Sequence, residues 1–149
     1  MPSPNDPKTS HYLGVDYGKS KIGLAIADGE TRIAFSYGVL ENNKEILEKL
    51  AEIIEKKEIE LVVIGVPGYS GLRNREDWGN QGIYRGFGKM LEKNLSGIKI
   101  IFTDEMFTTK MAQENLKEKG MKKIKDHDHQ EAARIILQEW LDSAKIKAE

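Results

Sequence analysis

Leu13-Gly-Val-Asp16-Tyr-Gly18-Lys-Ser-Lys21-Ile-Gly23-Leu-Ala-Ile-Ala-Asp28 is the stretch from which the fold can be read. It predicts two strands, Tyr12–Tyr17 and Lys21–Ala27, folded back on each other through Gly18-Lys19-Ser20. Ile22, Leu24 and Ile26 alternate with the smaller Gly23, Ala25 and Ala27, the period-two pattern of a strand with one well-filled face. Asp16 interrupts the apolar run. A carboxylate near the end of such a strand is costly to desolvate unless a cation or a hydrogen-bond donor meets it. Gly18 and Gly23 flank it without side chains, which leaves room for a ligand or phosphate to approach the backbone. Acid, glycine turn and second strand suit either a metal-held phosphodiester or a nucleotide phosphate. An Asp just before a turn glycine also serves as a plain turn cap, so this stretch alone leaves both roles open.

Working outward, the 149 residues are 39% hydrophobic and 32% charged, the balance of a soluble globular chain with a core of its own. Residues 1–10 are polar and proline-rich and predict a mobile tail, with 11–149 as a single folded domain. The N-terminus does not read as a signal peptide, and no apolar run approaches membrane-spanning length. The absence of Cys excludes disulfides and thiolate metal sites and suits a cytoplasmic protein. A net charge of −1 argues against a broad basic surface for nucleic acid, so such a contact has to come from segregated charge.

After the hairpin, Thr31–Leu40 predicts a third strand with Ile33, Phe35, Tyr37 and Val39 on one face. Asn42 or Asn43 then caps a helix to about Lys57, whose Ile46, Leu47, Leu50, Ile53 and Ile54 share one face. Leu61–Val66 is a nearly unbroken apolar run, the composition of a central parallel strand covered on both sides. Residues 67–82 read as a long loop in which Arg73, Arg75 and Trp78 are placed to hold phosphates and stack a base, or to form a solvated surface. Ile83, Tyr84, Phe87, Met90 and Leu91 mark a second helix, and Ile98–Phe102 a fifth strand ending at Thr103-Asp104-Glu105. A third helix starts at Thr108 or Thr109 and closes at Gly120. A last one runs from about His129 to Lys145, begun by a capping-box-like Asp128 and Glu131.

This order predicts an α/β fold: a five-stranded mixed sheet, order 3-2-1-4-5, with flanking helices. Ligands in such sheets gather at the carboxyl ends of the parallel strands. Asp16 ends the first strand and Asp104-Glu105 the fifth, and Asp126, Asp128 and His129 at the last helix can be brought over the same edge. Converging carboxylates repel unless a counter-charge joins them. Mg²⁺ or Mn²⁺ meets that need, and a pair of such ions roughly 3.5–4 Å apart serves in-line phosphoryl displacement.

Taken in order and spacing, LGVDYGKSKIGLAIAD, VVIGVPGYSG, TDEMFTT and EAARIILQEWLD resemble the YqgF/RuvX family. These are Holliday-junction-resolvase-like proteins of the RNase H-like fold, associated with 5′-end maturation of pre-16S rRNA. The resemblance covers about His11 to Asp142 and implies a divalent-metal-dependent nuclease. It puts the first catalytic and metal-holding acid on Asp16 and the second on Glu105, and a phosphate-contacting base on Lys21. Two departures stand out. The family's Arg after the second acid is Met106 here, and its Asp three residues before the Ala132-Ala133 pair is His129, with Asp128 one residue earlier. Asp128 (as metal ligand), His129 or, behind them, Asp126 is left to complete the site. A His there supplies no negative charge, so an ion is held less tightly.

The resemblance implies pre-rRNA or branched DNA as substrate, precursor ribosomal particles as partners, no membrane, and a monomer or homodimer. Two other readings compete with the nuclease. His129 and Met106 suit a nucleic-acid-binding or ribosome-assembly module without turnover. The acid–glycine turn–strand layout also suits a phosphate-binding fragment of an actin- or sugar-kinase-like ATPase, although such enzymes need two such domains.

Overall fold

A computed structural model describes residues 10–69, 72, 78–79, 81–104 and 124–148, with backbone alone at 124–128 and 144–148. The strands are β1 (His11–Tyr17), β2 (Lys21–Asp28), β3 (Phe35–Glu41), β4 (Ile59–Val66) and β5 (Lys99–Asp104). The helices are α1 (Ile46–Lys56), α2 (Gly82–Asn94) and α3 (Ile124–Ala148). The sheet order is β3-β2-β1-β4-β5, as the sequence predicts. β1 pairs antiparallel with β2 and parallel with β4, and β5 runs parallel to β4. No helix among the described residues is long and apolar enough to cross a membrane.

The two faces of the sheet are built from different residues. Leu13, Val15, Ile22, Leu24, Val62, Ile64 and Val66 pack with Ile46, Leu50 and Ile54 of α1 and Phe87 and Leu91 of α2. Each of the large side chains, fully buried, stabilises by roughly 1.5–3 kcal/mol. The opposite face is made of small residues. Ala25, Ala27 and Val63 meet Ala133, Ile136, Leu137 and Leu141 of α3. A Cβ on Gly14 would sit 2.7 Å from Leu137 Cβ and 2.8 Å from the Ala133 carbonyl oxygen, and one on Gly23 would collide with the His129 carbonyl group. Glycine at both positions therefore lets the helix backbone lie directly on the strands.

The segment before β3 ties down the middle of α3. Gln138 Oε1 accepts from the Ala34 amide (2.8 Å), and Gln138 Nε2 donates to the Arg32 carbonyl (3.1 Å). Arg32 in turn donates through Nη2 to the Leu141 carbonyl at 3.0 Å, holding its own backbone at φ 57°, a region most side chains avoid.

Three sequence expectations are corrected. β3 begins at Phe35, and a bulge opposite Leu24–Ala25 makes Tyr37 an extra residue, so Ile33, Phe35, Tyr37 and Val39 do not share a buried face. Ile33, ahead of the strand, and Phe35, at its first position, are instead 51% and 60% exposed. Helix α1 starts at Ile46 with no side-chain cap, because Asn43 bonds the Glu45 amide and Asn42 is engaged elsewhere. Helix α3 starts at Ile124, which places Asp128 inside the helix and not at its cap. Glu131 pairs with Arg134, Oε1 to Nη2 at 2.6 Å. The expected helix from Thr108 or Thr109 to Gly120 and the tail lie outside the described residues.

Gly23→Ala is expected to lower stability by about 3 kcal/mol or more in urea unfolding, because the added methyl meets helix backbone and not a movable side chain. A second expectation concerns Asp28, whose Oδ1 accepts from the Thr31 amide (2.7 Å), the Glu30 amide (3.0 Å) and the Thr31 hydroxyl (3.1 Å). The Thr31 amide bond, above all, holds this carboxyl below the usual carboxylate range. A depressed value means that the stabilisation is present above the unfolded-state value and is lost as pH falls through the folded one. Asp28→Ala should therefore destabilise at pH 7, and its difference from wild type should shrink in melts as pH falls through the folded-state value.

Candidate active site

Asp16 is the penultimate residue of β1, opposite Gly23, and 6% exposed. Strand alternation turns Leu13 and Val15 into the α1–α2 layer and leaves Gly14 and Asp16 toward α3. There Asp16 Oδ2 meets His129 Nδ1 at 3.0 Å. An ionised carboxylate only accepts, so Nδ1–H is the donor of this bond. The Asp16 side chain is 8% exposed and the His129 ring 32%, so the pair sits at the mouth of the helix–sheet seam. The Gly23 contact fixes it: the strand meets the His129 backbone itself, which sets how far the ring stands from the carboxylate.

The turn beside this pair is also held. Asn42, one residue past β3, donates from Nδ2 to the Gly18 carbonyl and from its backbone N–H to the Ser20 carbonyl, both at 2.8 Å. Lys19 and Ser20 are exposed at the tip, and Lys21 is half-buried. Gly18 has no room for a side chain, since a Cβ would lie 2.5 Å from the Lys21 carbonyl oxygen and 3.2 Å from His129 Cε1. The sequence offered Asn42 or Asn43 as a helix cap, which does not reveal this role of Asn42. Two consecutive asparagines at a strand–helix junction, where one cap suffices, were the available signal.

β5 ends at the same sheet edge. Gly65 pairs with Thr103 and Val66 with Asp104, while Val15 pairs with Ile64. Asp104 is thus two strands from β1, roughly 10 Å by strand spacing. Its charge reaches α3: the Glu139 carboxyl is pushed up by partial desolvation first, then by Asp104 and Asp142. Among the described residues, no three His, Asp or Glu side chains form a metal-binding group. Asp16 and His129 are brought together; Asp104 does not join them as a third ligand. Glu105, Arg73 and Arg75, and the side chains of Asp126 and Asp128, lie outside the described residues. Trp78, expected to stack a base or lie on a solvated surface, packs edge-on against Phe102 (5.2 Å) and Tyr69 (5.8 Å), with the Arg85 guanidinium 5.9 Å from its ring.

A family model described as "RuvX: Holliday junction resolvase" matches residues 10–143. A "Putative pre-16S rRNA nuclease" of Maridesulfovibrio salexigens is 34% identical over 140 residues, covering 89% of this chain and 98% of that one. One of the same name from Rickettsia felis is 36% identical over 148 residues, covering 95% and 90%. Among solved structures, T. thermophilus RuvC in complex with Holliday junction substrate superposes with a TM-score of 0.56 at 16% identity, over 91% of this chain and 96% of that one. The fowlpox virus resolvase bound to Holliday junction DNA gives 0.54 at 14% identity, over 90% and 98%. At these identities the structures show the shared RNase H-like resolvase fold.

His129→Ala leaves a buried carboxylate without its donor. It is expected to cost about 1–3 kcal/mol in urea unfolding, a loss that Asp16→Ala in the same background should largely reverse.

Proposed function

The chain belongs to the RuvX family, and from that premise we propose that this nuclease is a divalent-metal-dependent endonuclease that cleaves structured RNA, with a ribosomal RNA precursor as substrate. The Asp16–His129 pair at the carboxyl end of β1 carries the proposal. RNA is favoured over branched DNA because relatives at 30–36% identity bear the pre-16S rRNA nuclease name, whereas the DNA-bound neighbours share the fold at 14–16% identity. Action on precursor ribosomal particles in the cytoplasm belongs to the same reading.

The donor set fits Mg²⁺ or Mn²⁺: a nearly buried Asp16 carboxylate, Glu105 one peptide beyond β5, and Asp128 next to His129 on α3. When bound, the ion supplies an activated water and stabilises the leaving oxygen. The chain's own residues do the rest. Asp16 contributes the fixed negative charge, and His129 orients its carboxylate through the Nδ1 hydrogen bond. Gly18, by lacking a side chain, lets the turn close on the Lys21 carbonyl and lie beside His129. Lys21, Arg73 and Arg75 are assigned to neighbouring phosphates.

The same pair favours one second reading. His129 already satisfies Asp16 without adding a negative charge, as suits a nucleic-acid-binding module that has given up turnover. Tight RNA binding unaffected by Mg²⁺ or Mn²⁺, with no product, would select that module.

For the nuclease, Asp16→Asn should abolish Mg²⁺- or Mn²⁺-dependent cleavage of a pre-16S RNA fragment, by at least about 100-fold, and undiminished cleavage rejects the assignment. His129→Asp restores a negative ligand and should tighten Mn²⁺ binding measured by calorimetry, by about tenfold or more.

A further inference from the structure

Next to Asp16 the protein presents a built element that the metal chemistry does not use: the Gly18-Lys19-Ser20 turn. Three observations define it. Asn42 holds it from outside the hairpin with two hydrogen bonds of 2.8 Å, one from the side chain to Gly18 and one from the backbone to Ser20. Gly18 cannot carry a Cβ, because the Lys21 carbonyl oxygen and His129 Cε1 lie against it, so the turn packs directly beside the His129 ring. Lys19 stands exposed at the tip, three residues from Asp16 and so within roughly 10 Å of it along the chain.

Electrostatics gives this turn a task. A phosphodiester reaching Asp16 also approaches the Asp104 end of β5, and a chain with a net charge of −1 has no general basic excess to offset that repulsion. The offset has to be local. A lysine on a loosely held loop would be ordered at an entropic penalty on binding, whereas one on a clamped turn is already placed.

We propose that Lys19 contacts the RNA backbone beside the scissile phosphate, and that Asn42 is the positioning residue that holds the turn in place for it. This rests on the nuclease reading above. Lys19 acts by charge and needs no metal; Asn42 acts only through the turn.

Binding of a fluorescein-labelled RNA hairpin with a 5′ single-stranded extension, in EDTA and over a series of KCl concentrations, tests the assignment. A four-way DNA junction serves as the parallel probe. Lys19→Ala should weaken RNA binding by about 3–10-fold and flatten the log–log salt slope by about 0.7–0.9, the signature of one lost phosphate contact, while Lys19→Arg keeps the slope. Asn42→Ala should flatten the slope as well. A purely structural defect lowers the amount of active protein without changing that slope. The double variant should bind no worse than Lys19→Ala, within about twofold, because both changes remove one contact.

A wild-type slope in Lys19→Ala, or independent additive losses in the double variant, overturns the turn assignment and leaves the nuclease reading standing. Salt-slope loss seen on the DNA junction alone overturns the RNA contact. Wild-type protein that binds neither probe removes the underlying reading, and the assignment with it.

Discussion

The direct seating of α3 on β1 and β2 is the constraint on which the rest depends. At Gly14 and Gly23 the sheet presents no side chain, and the helix answers with Ala133, Leu137 and the backbone of His129 itself. Interiors are packed to near-crystalline density, so a contact between two backbones leaves little freedom of separation. The Asp16–His129 distance is a by-product of that seating. The two residues are 113 positions apart in the chain, and neither belongs to a loop.

A second consequence is electrostatic. Asp16 is nearly buried and keeps its charge at tolerable cost only with a donor at hand, which the imidazole supplies. Where a carboxylate would gather with others and require a cation, an imidazole satisfies Asp16 by a single hydrogen bond. The site is thus compatible with an ion without depending on one for its shape. That is why one pair supports both a nuclease and, less directly, a binding module.

Much of this was legible from residue order. Alternation in Leu13–Asp28 and the apolar run of Leu61–Val66 give the hairpin and the central parallel strand, and a meander followed by parallel crossovers suits the order 3-2-1-4-5, which the sheet has. Asp16 was singled out by a charge in an apolar strand; His129 was one of three candidates at the last helix, picked out by the family resemblance, which implies an acid at its position. What was not legible depends on tertiary geometry. The bulge at Tyr37 leaves β3 aromatics exposed although their period-two pattern looks like a buried face. Asp128 has the composition of a helix cap, yet α3 begins a turn earlier. Asn42 carries a local capping signal, but its side chain turns back to a carbonyl 24 residues away. Local propensity cannot see a partner that far off in the chain.

The seam between helix and sheet also bears on how such a site can change over time. Because the spacing at position 129 is set by main-chain atoms, the side chain there acts as an interchangeable fitting in a fixed socket. Imidazole can replace carboxylate, or the reverse, by one substitution that leaves the surrounding walls where they are. Chemistry at this spot is therefore free to drift faster than architecture, and two chains with superposable backbones can differ in what they do to the strand they hold.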